Sequence, residues 1–127
     1  MDNREVAKIL RETAQLLEID GAIIGRYRSY EKVADLLGSL TERIEDVAKD
    51  EKKLKELPGV GEGMAEHIHE ILATGDYSLR QNLLKKYPPG ILQLLEVPSL
   101  GPKRVAFLWK KFNCASVEDL EKLAREE

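Results

Sequence analysis

The chain has 127 residues, 43% hydrophobic and 34% charged, enough for one compact core that buries roughly two-thirds of the unfolded surface and too few for a large multi-domain enzyme. With 20 Lys and Arg against 23 Asp and Glu the net charge is −3, so nothing global attracts nucleic acid and any basic surface must be local. No apolar run nears the ~20 residues of a bilayer span, the Met1-Asp2-Asn3-Arg4-Glu5 start lacks a signal-peptide core, and the single Cys114 excludes an intramolecular disulfide and a multi-cysteine zinc site; a cytoplasmic, nucleoid-associated protein with no membrane partner is expected.

Apolar residues recur at three-to-four spacing almost throughout, and no stretch alternates long enough for a strand, so the reading is all-α. The first helix is predicted over about Asn3 to Ile19, with Val6, Ile9, Leu10, Thr13, Leu16 and Leu17 inward and Asp20-Gly21 ending it. A second covers about Arg26 to Leu37. Ser39-Leu40-Thr41-Glu42 has capping-box spacing ahead of a third helix carrying Ile44, Val47 and Ala48. After a charged segment, a short helix ends at Leu57; Pro58-Gly59-Val60-Gly61 follows, then a helix from Glu62 to Ala73 stopped by Thr74-Gly75. Tyr87-Pro88-Pro89-Gly90 is the one strongly helix-hostile cluster and divides the chain into 1–86 and 87–127. Beyond it lie a short helix with Ile91, Leu92, Leu94 and Leu95, the turn Val97-Pro98-Ser99-Leu100-Gly101, a helix opened by Pro102 with Val105, Leu108, Trp109 and Phe112, and a last helix capped by Ser116.

Shifting the sequence by 40 positions lays Leu57-Pro58-Gly59-Val60-Gly61 on Val97-Pro98-Ser99-Leu100-Gly101, then Ala65 on Val105, Ile68 on Leu108 and Leu72 on Phe112. The repeated unit is a tight helix-to-helix corner. Glycine permits a positive φ in the turn, Val60 or Leu100 plugs between the helices, and Gly61 or Gly101 starts the next helix with bare N–H groups. With the positive end of the helix dipole behind them, such amides suit a backbone phosphate and are blind to base identity. The expected architecture is a small helical domain with two helix-hairpin-helix motifs, the first over about 51–74.

Leu57-Pro58-Gly59-Val60-Gly61 with Ala65-Glu66, Ile68 and Ala73-Thr74-Gly75 resembles the first hairpin in the amino-terminal domain of X-family DNA polymerases. Pro88-Pro89-Gly90, Leu94-Leu95, Val97-Pro98 and Leu100-Gly101-Pro102-Lys103 are similar to the second hairpin of the bacterial and archaeal branch, and Gly21 with Arg26-Tyr27-Arg28-Ser29-Tyr30 and Ala34 to the family's second helix. The resemblance covers nearly the whole chain. It implies binding to gapped or nicked duplex and 5′-phosphate ends, in a parent chain whose carboxy-terminal palm polymerises DNA; no Asp-x-Asp pair that could hold catalytic magnesium occurs here. It places Arg26, Tyr30 and Lys55 at phosphate-pocket positions. It also implies a monovalent cation, Na+ or K+, on the carbonyls of Lys55, Leu57 and Val60 and of Leu95, Val97 and Leu100 when DNA is bound, with no cofactor otherwise required.

Three positions depart from the family pattern. His67 stands where the family has its lyase lysine, and an imidazole cannot form the Schiff base. Gly63 replaces a second lysine, and Ser99 replaces a hairpin glycine. Lyase activity toward a 5′-deoxyribose phosphate is therefore expected to be absent or weak, although Lys52, Lys53 and Lys55 leave a non-standard lyase open, and a protein-interaction adaptor is the other alternative.

The local basic residues sort by position. Lys103 and Arg104 stand at a hairpin helix start and are assigned to phosphate, Lys110 and Lys111 to a solvated face. Arg26 and Arg28 flank Tyr27 as the other basic site; Tyr27 reads as core, and Tyr30 as a residue that stacks on or hydrogen-bonds a terminal nucleotide. His67 and His69, two positions apart, point away from each other and form no metal pair. Cys114, Trp109 and Phe112 read as packing residues, and the acidic last helix with Glu118, Asp119, Glu121, Glu126 and Glu127 as a face that repels DNA. The expected DNA-binding set is thus Arg26, Arg28, Tyr30, Lys55, Gly59, Val60, Gly61, Gly63, Ser99, Leu100, Gly101, Lys103 and Arg104.

Overall fold

The computed structural model describes residues 1–125; Glu126 and Glu127 lie outside the described residues. Among the described residues there are nine helices and no strand: α1 (Asn3–Ile19), α2 (Ile24–Ser39), α3 (Ile44–Val47), α4 (Glu51–Lys55), α5 (Glu62–Thr74), α6 (Ser78–Lys85), α7 (Ile91–Leu95), α8 (Pro102–Phe112) and α9 (Val117–Arg125). Among the described residues no helix is long and apolar enough to cross a membrane.

Helix α1 is the hub. Asp2 caps it by accepting from the Glu5 amide, and its inward stripe, including Val6, Leu10, Leu16 and Leu17, is fully buried against α2, α6 and α8. Thr13 is the single buried polar residue among the described residues; it donates to the Ile9 carbonyl at 2.8 Å and accepts from the Tyr77 hydroxyl at 2.7 Å, so both hydroxyls are satisfied in the core. Arg80 on α6 reaches Glu12 on α1 at 3.1 Å and Asp76 at 2.9 Å, fixing the α6 start against α1.

Two segments differ from the sequence reading, for the same reason. Ser39 does not cap α3: it is the last residue of α2 and spends its hydroxyl on the Asp35 and Leu36 carbonyls. The α3 cap is Asn3, whose Oδ1 accepts from the Ile44 amide at 2.8 Å across 41 positions. Helix α6, absent from the sequence reading, is started by Glu70 of α5, whose carboxylate accepts from both the amide and the hydroxyl of Ser78. In each case the cap comes from a distant element that a local pattern does not reveal.

The Tyr87–Gly90 segment is anchored on two sides. The Tyr87 hydroxyl donates to Asp20 at the end of α1 at 2.6 Å, and its ring meets Trp109 of α8 edge-on at 5.0 Å. Gly90 sits so close to the Ala115 carbonyl that a Cβ there would overlap it. Helix α9 opens as expected, Ser116 Oγ accepting from the Asp119 amide at 3.1 Å while Asp119 accepts from the Ala115 amide at 3.0 Å.

Candidate nucleic-acid interface

The 40-residue repeat holds in the backbone down to single hydrogen bonds. Helices α4 and α7 are both five residues long and are C-capped by Glu56 and Glu96; α5 and α8 begin at Glu62 and Pro102. Between them the Val60 amide donates to the Leu57 carbonyl at 3.0 Å and the Leu100 amide to the Val97 carbonyl at 3.1 Å. Proline stands second in each turn and a positive φ third, +83° at Gly59 and +71° at Ser99, which is the signature of a type II turn. Ser99 therefore keeps the second corner closed, at the strain cost of a side chain in the left-handed region. Leu54 and Leu94 are fully buried at matching positions, as are Ala65 and Val105, and Val60 plugs the first corner.

Both corners point amides outward. The first helical turns of α5 and α8 bond back to Gly61 and Gly101 only at Ala65 and Val105, at 2.9 and 3.0 Å. The amides of Gly61, Glu62, Gly63 and Met64, and those of Gly101, Lys103 and Arg104, meet no protein acceptor among the described residues. A Cβ built on Gly61, Gly63 or Gly101 finds nothing within 4 Å, so protein does not fill either corner. Alike in backbone, the corners differ in charge. Glu56 and Glu96 stand at matching places before the two turns, but the first corner then carries Glu62 and Glu66, whereas the second carries Lys103 and Arg104, both exposed, with no acid from Val97 to Phe112.

The other candidate side chains divide into two groups. Arg26 and Tyr30, one turn apart on α2, lie on the side facing α5, where the Tyr30 ring packs 6.0 Å from His67, itself 5.0 Å from the Tyr77 ring. Tyr30 is only 8% exposed, so its faces belong to the core and it cannot stack on a nucleotide; burial raises its hydroxyl pKa, against the pull of Arg26. Arg28 does not join Arg26: two positions apart, about 200° around the helix, they stand on nearly opposite sides of α2. Lys55 ends α4, exposed, 3.7 Å from Glu51, while Lys53 pairs with Glu42 at 2.5 Å, a hydrogen bond that raises its pKa. Lys53 is thus held charged by its partner, the opposite of what activates an imine-forming amine. His69 turns away from His67 and bonds Glu51 at 2.6 Å.

The carbonyls of Lys55 and Val60, and of Leu95 and Leu100, accept no hydrogen bond outside helices, while those of Leu57 and Val97 each accept one turn amide and retain a second lone pair. These carbonyl oxygens are of the chemical type a hard cation takes.

Phe112 departs from expectation: it is 49% exposed rather than core, and Phe107 is 54% exposed. Val105 alone of α8 is fully buried, with Leu108 and Trp109 packed behind it, so the helix turns both phenylalanines outward. Cys114 is buried, burial pushing its thiol pKa up, as befits a packing residue.

Residues 1–77 match the model of the helix-hairpin-helix domain family, and the chain belongs to that family. The second hairpin lies outside the matched residues; its identity rests on the 40-residue correspondence just described. Over all 127 residues the chain is 25% identical to the DNA polymerase/3′-5′ exonuclease PolX of Bacillus subtilis, and over 116 residues, 84% of the chain, 32% identical to DNA polymerase lambda of Arabidopsis thaliana. These agree with the X-family resemblance read from the sequence. The chain spans only about a fifth of the length of these relatives, 22% and 21%.

Proposed function

We propose that this chain is a sequence-independent DNA-binding module that grips the sugar–phosphate backbone at gaps, nicks and 5′-phosphate ends, as the amino-terminal part of an X-family DNA repair polymerase. The observation that carries the reading is the pair of glycine-bearing corners, 40 residues apart, each with a fan of uncommitted amides at a helix start. Amides so placed bind phosphate oxygens and ignore the bases. Two such corners on one core grip two stretches of backbone, an arrangement that favours a strand interruption, where the duplex can bend, over an intact rod.

On this reading the second corner supplies most of the electrostatic attraction, through Lys103 and Arg104. The first, carrying Glu62, contributes hydrogen bonds and relies on Arg26 and Lys55 for charge. Na+ or K+ on the three carbonyls of each corner would neutralise an adjoining phosphate. The partner in the parent chain is a polymerase palm, which this segment lacks.

The test is fluorescence anisotropy with three labelled duplexes of equal length: intact, nicked, and gapped with a 5′-phosphate. Tightest binding to the gapped duplex and a steep loss of affinity with salt are expected. Equal affinity for all three, or none at low salt, overturns the reading.

A further inference from the structure

The outer face of α8 is a surface that the hairpin reading does not use. Phe107 and Phe112 are 54% and 49% exposed, and their rings meet edge-on at 5.9 Å, a pair standing in solvent rather than in a core. The Lys111 ammonium lies 5.4 Å from the centre of the Phe107 ring. Lys103, Phe107, Lys110 and Lys111 fall at four- and three-residue spacings, so they make one stripe along the helix. The stripe begins at the second corner, and Phe107 lies about 6 Å along the axis from Lys103. Burying Val105, Leu108 and Trp109 already satisfies the opposite side of α8, so packing within this chain does not require the exposed phenylalanines.

We infer that the outer face of α8 is a single-stranded DNA platform: an unpaired base stacks on Phe107, with Lys103, Lys110 and Lys111 along its phosphates. The choice of occupant follows from charge and shape together. Four cations with no acid between Val97 and Phe112 match a polyanion, and exposed aromatic faces interleaved with cations are what unpaired bases use, since every base offers a π-face. A duplex has its bases stacked inside and would leave both rings in water. The surface would hold the unpaired strand of a gap next to the backbone gripped at the second corner. The inference rests on the proposed function only in taking DNA as the partner.

The experiment compares the whole chain with Phe107→Ala, Phe107→Leu and Phe107→Tyr, using labelled oligo(dT), a nicked duplex and a duplex with a gap of several nucleotides. The position is exposed, and circular dichroism confirms that each variant is folded. Both Phe107→Ala and Phe107→Leu are expected to bind oligo(dT) and the gapped duplex about fivefold to tenfold more weakly, the low end of the loss for one stacked base, with binding to the nicked duplex unchanged and Phe107→Tyr close to the parent. Equal loss on the nicked duplex, or wild-type binding of oligo(dT) by Phe107→Ala, overturns the inference while leaving the hairpin reading standing. So does a parent chain that binds oligo-glutamate, displaced by Phe107→Ala, and not oligo(dT), since the face would then suit an acidic protein. Failure of the parent chain to bind the nicked duplex defeats the hairpin reading instead.

Discussion

Gly59 and Ser99, 40 positions apart, occupy the same place in the same turn, with φ of +83° and +71°. Only one of them is free of strain. An L side chain in the left-handed region costs roughly 1–2 kcal/mol, part of which glycine forfeits through its more flexible unfolded state. Ser99→Gly is therefore expected to stabilise the chain by up to about 1 kcal/mol. Gly59→Ser should destabilise it by about 1–2 kcal/mol, because its Cβ would also lie 3.3 Å from Val33 Cγ2. Urea denaturation of both variants reads the two opposite signs.

The bond from Tyr87 to Asp20 ties the segment before α7 to the end of α1 and makes a pH-dependent prediction. The Tyr87 hydroxyl, helped by Lys86, holds the Asp20 carboxyl below its ordinary pKa. A depressed carboxyl stabilises the fold above its unfolded value of ~3.9 and loses that contribution as pH falls through the folded value. Tyr87→Phe should cost about 1 kcal/mol near neutrality, the modest value fitting a bond partly open to water. The difference from the parent should then narrow in acid. Thermal melts at several pH values check both statements.

Thr13 and Tyr77 form a hydroxyl pair in the core, both residues fully buried. Thr13→Val leaves the Tyr77 hydroxyl buried and unpaired and should cost about 1–3 kcal/mol. Tyr77→Phe should cost less, because Thr13 keeps its bond to the Ile9 carbonyl. In the double variant the two losses should fall short of their sum, a coupling that a denaturation cycle measures.

Much of this architecture can be read locally. The first helix and both turns depend on patterns within a few residues: an apolar stripe, a proline followed by glycine or serine, a glycine at the helix start. What the sequence hides is supplied from afar. Asn3 caps α3 and Glu70 opens α6, so Ser39 misleads as a cap and Ser78 gives no sign of one. The stacking role read for Tyr30 and the core role read for Phe112 fail for a related reason: period alone marks a residue as facing one side of its helix without saying whether a neighbour waits there. His67 waits for Tyr30, whereas Phe112 is left 49% exposed.

The charge contrast between the corners predicts unequal effects of exposed substitutions. Lys103→Ala should weaken binding to every duplex alike and lower the slope of log affinity against log salt by about 1, as expected for one lost phosphate contact. Glu62→Gln should strengthen binding, by removing a negative charge beside the first fan of amides. Anisotropy titrations over a salt series separate these effects from any change in preference among duplexes.

The central claim concerns main-chain amides, and amide NMR addresses it most directly: a 15N-labelled sample titrated with 5′-phosphorylated gapped duplex. The largest shifts should fall on Gly61, Glu62, Gly63 and Met64 and on Gly101, Lys103 and Arg104, in both corners at once. Saturation with DNA while these seven amides stay in place would contradict the account.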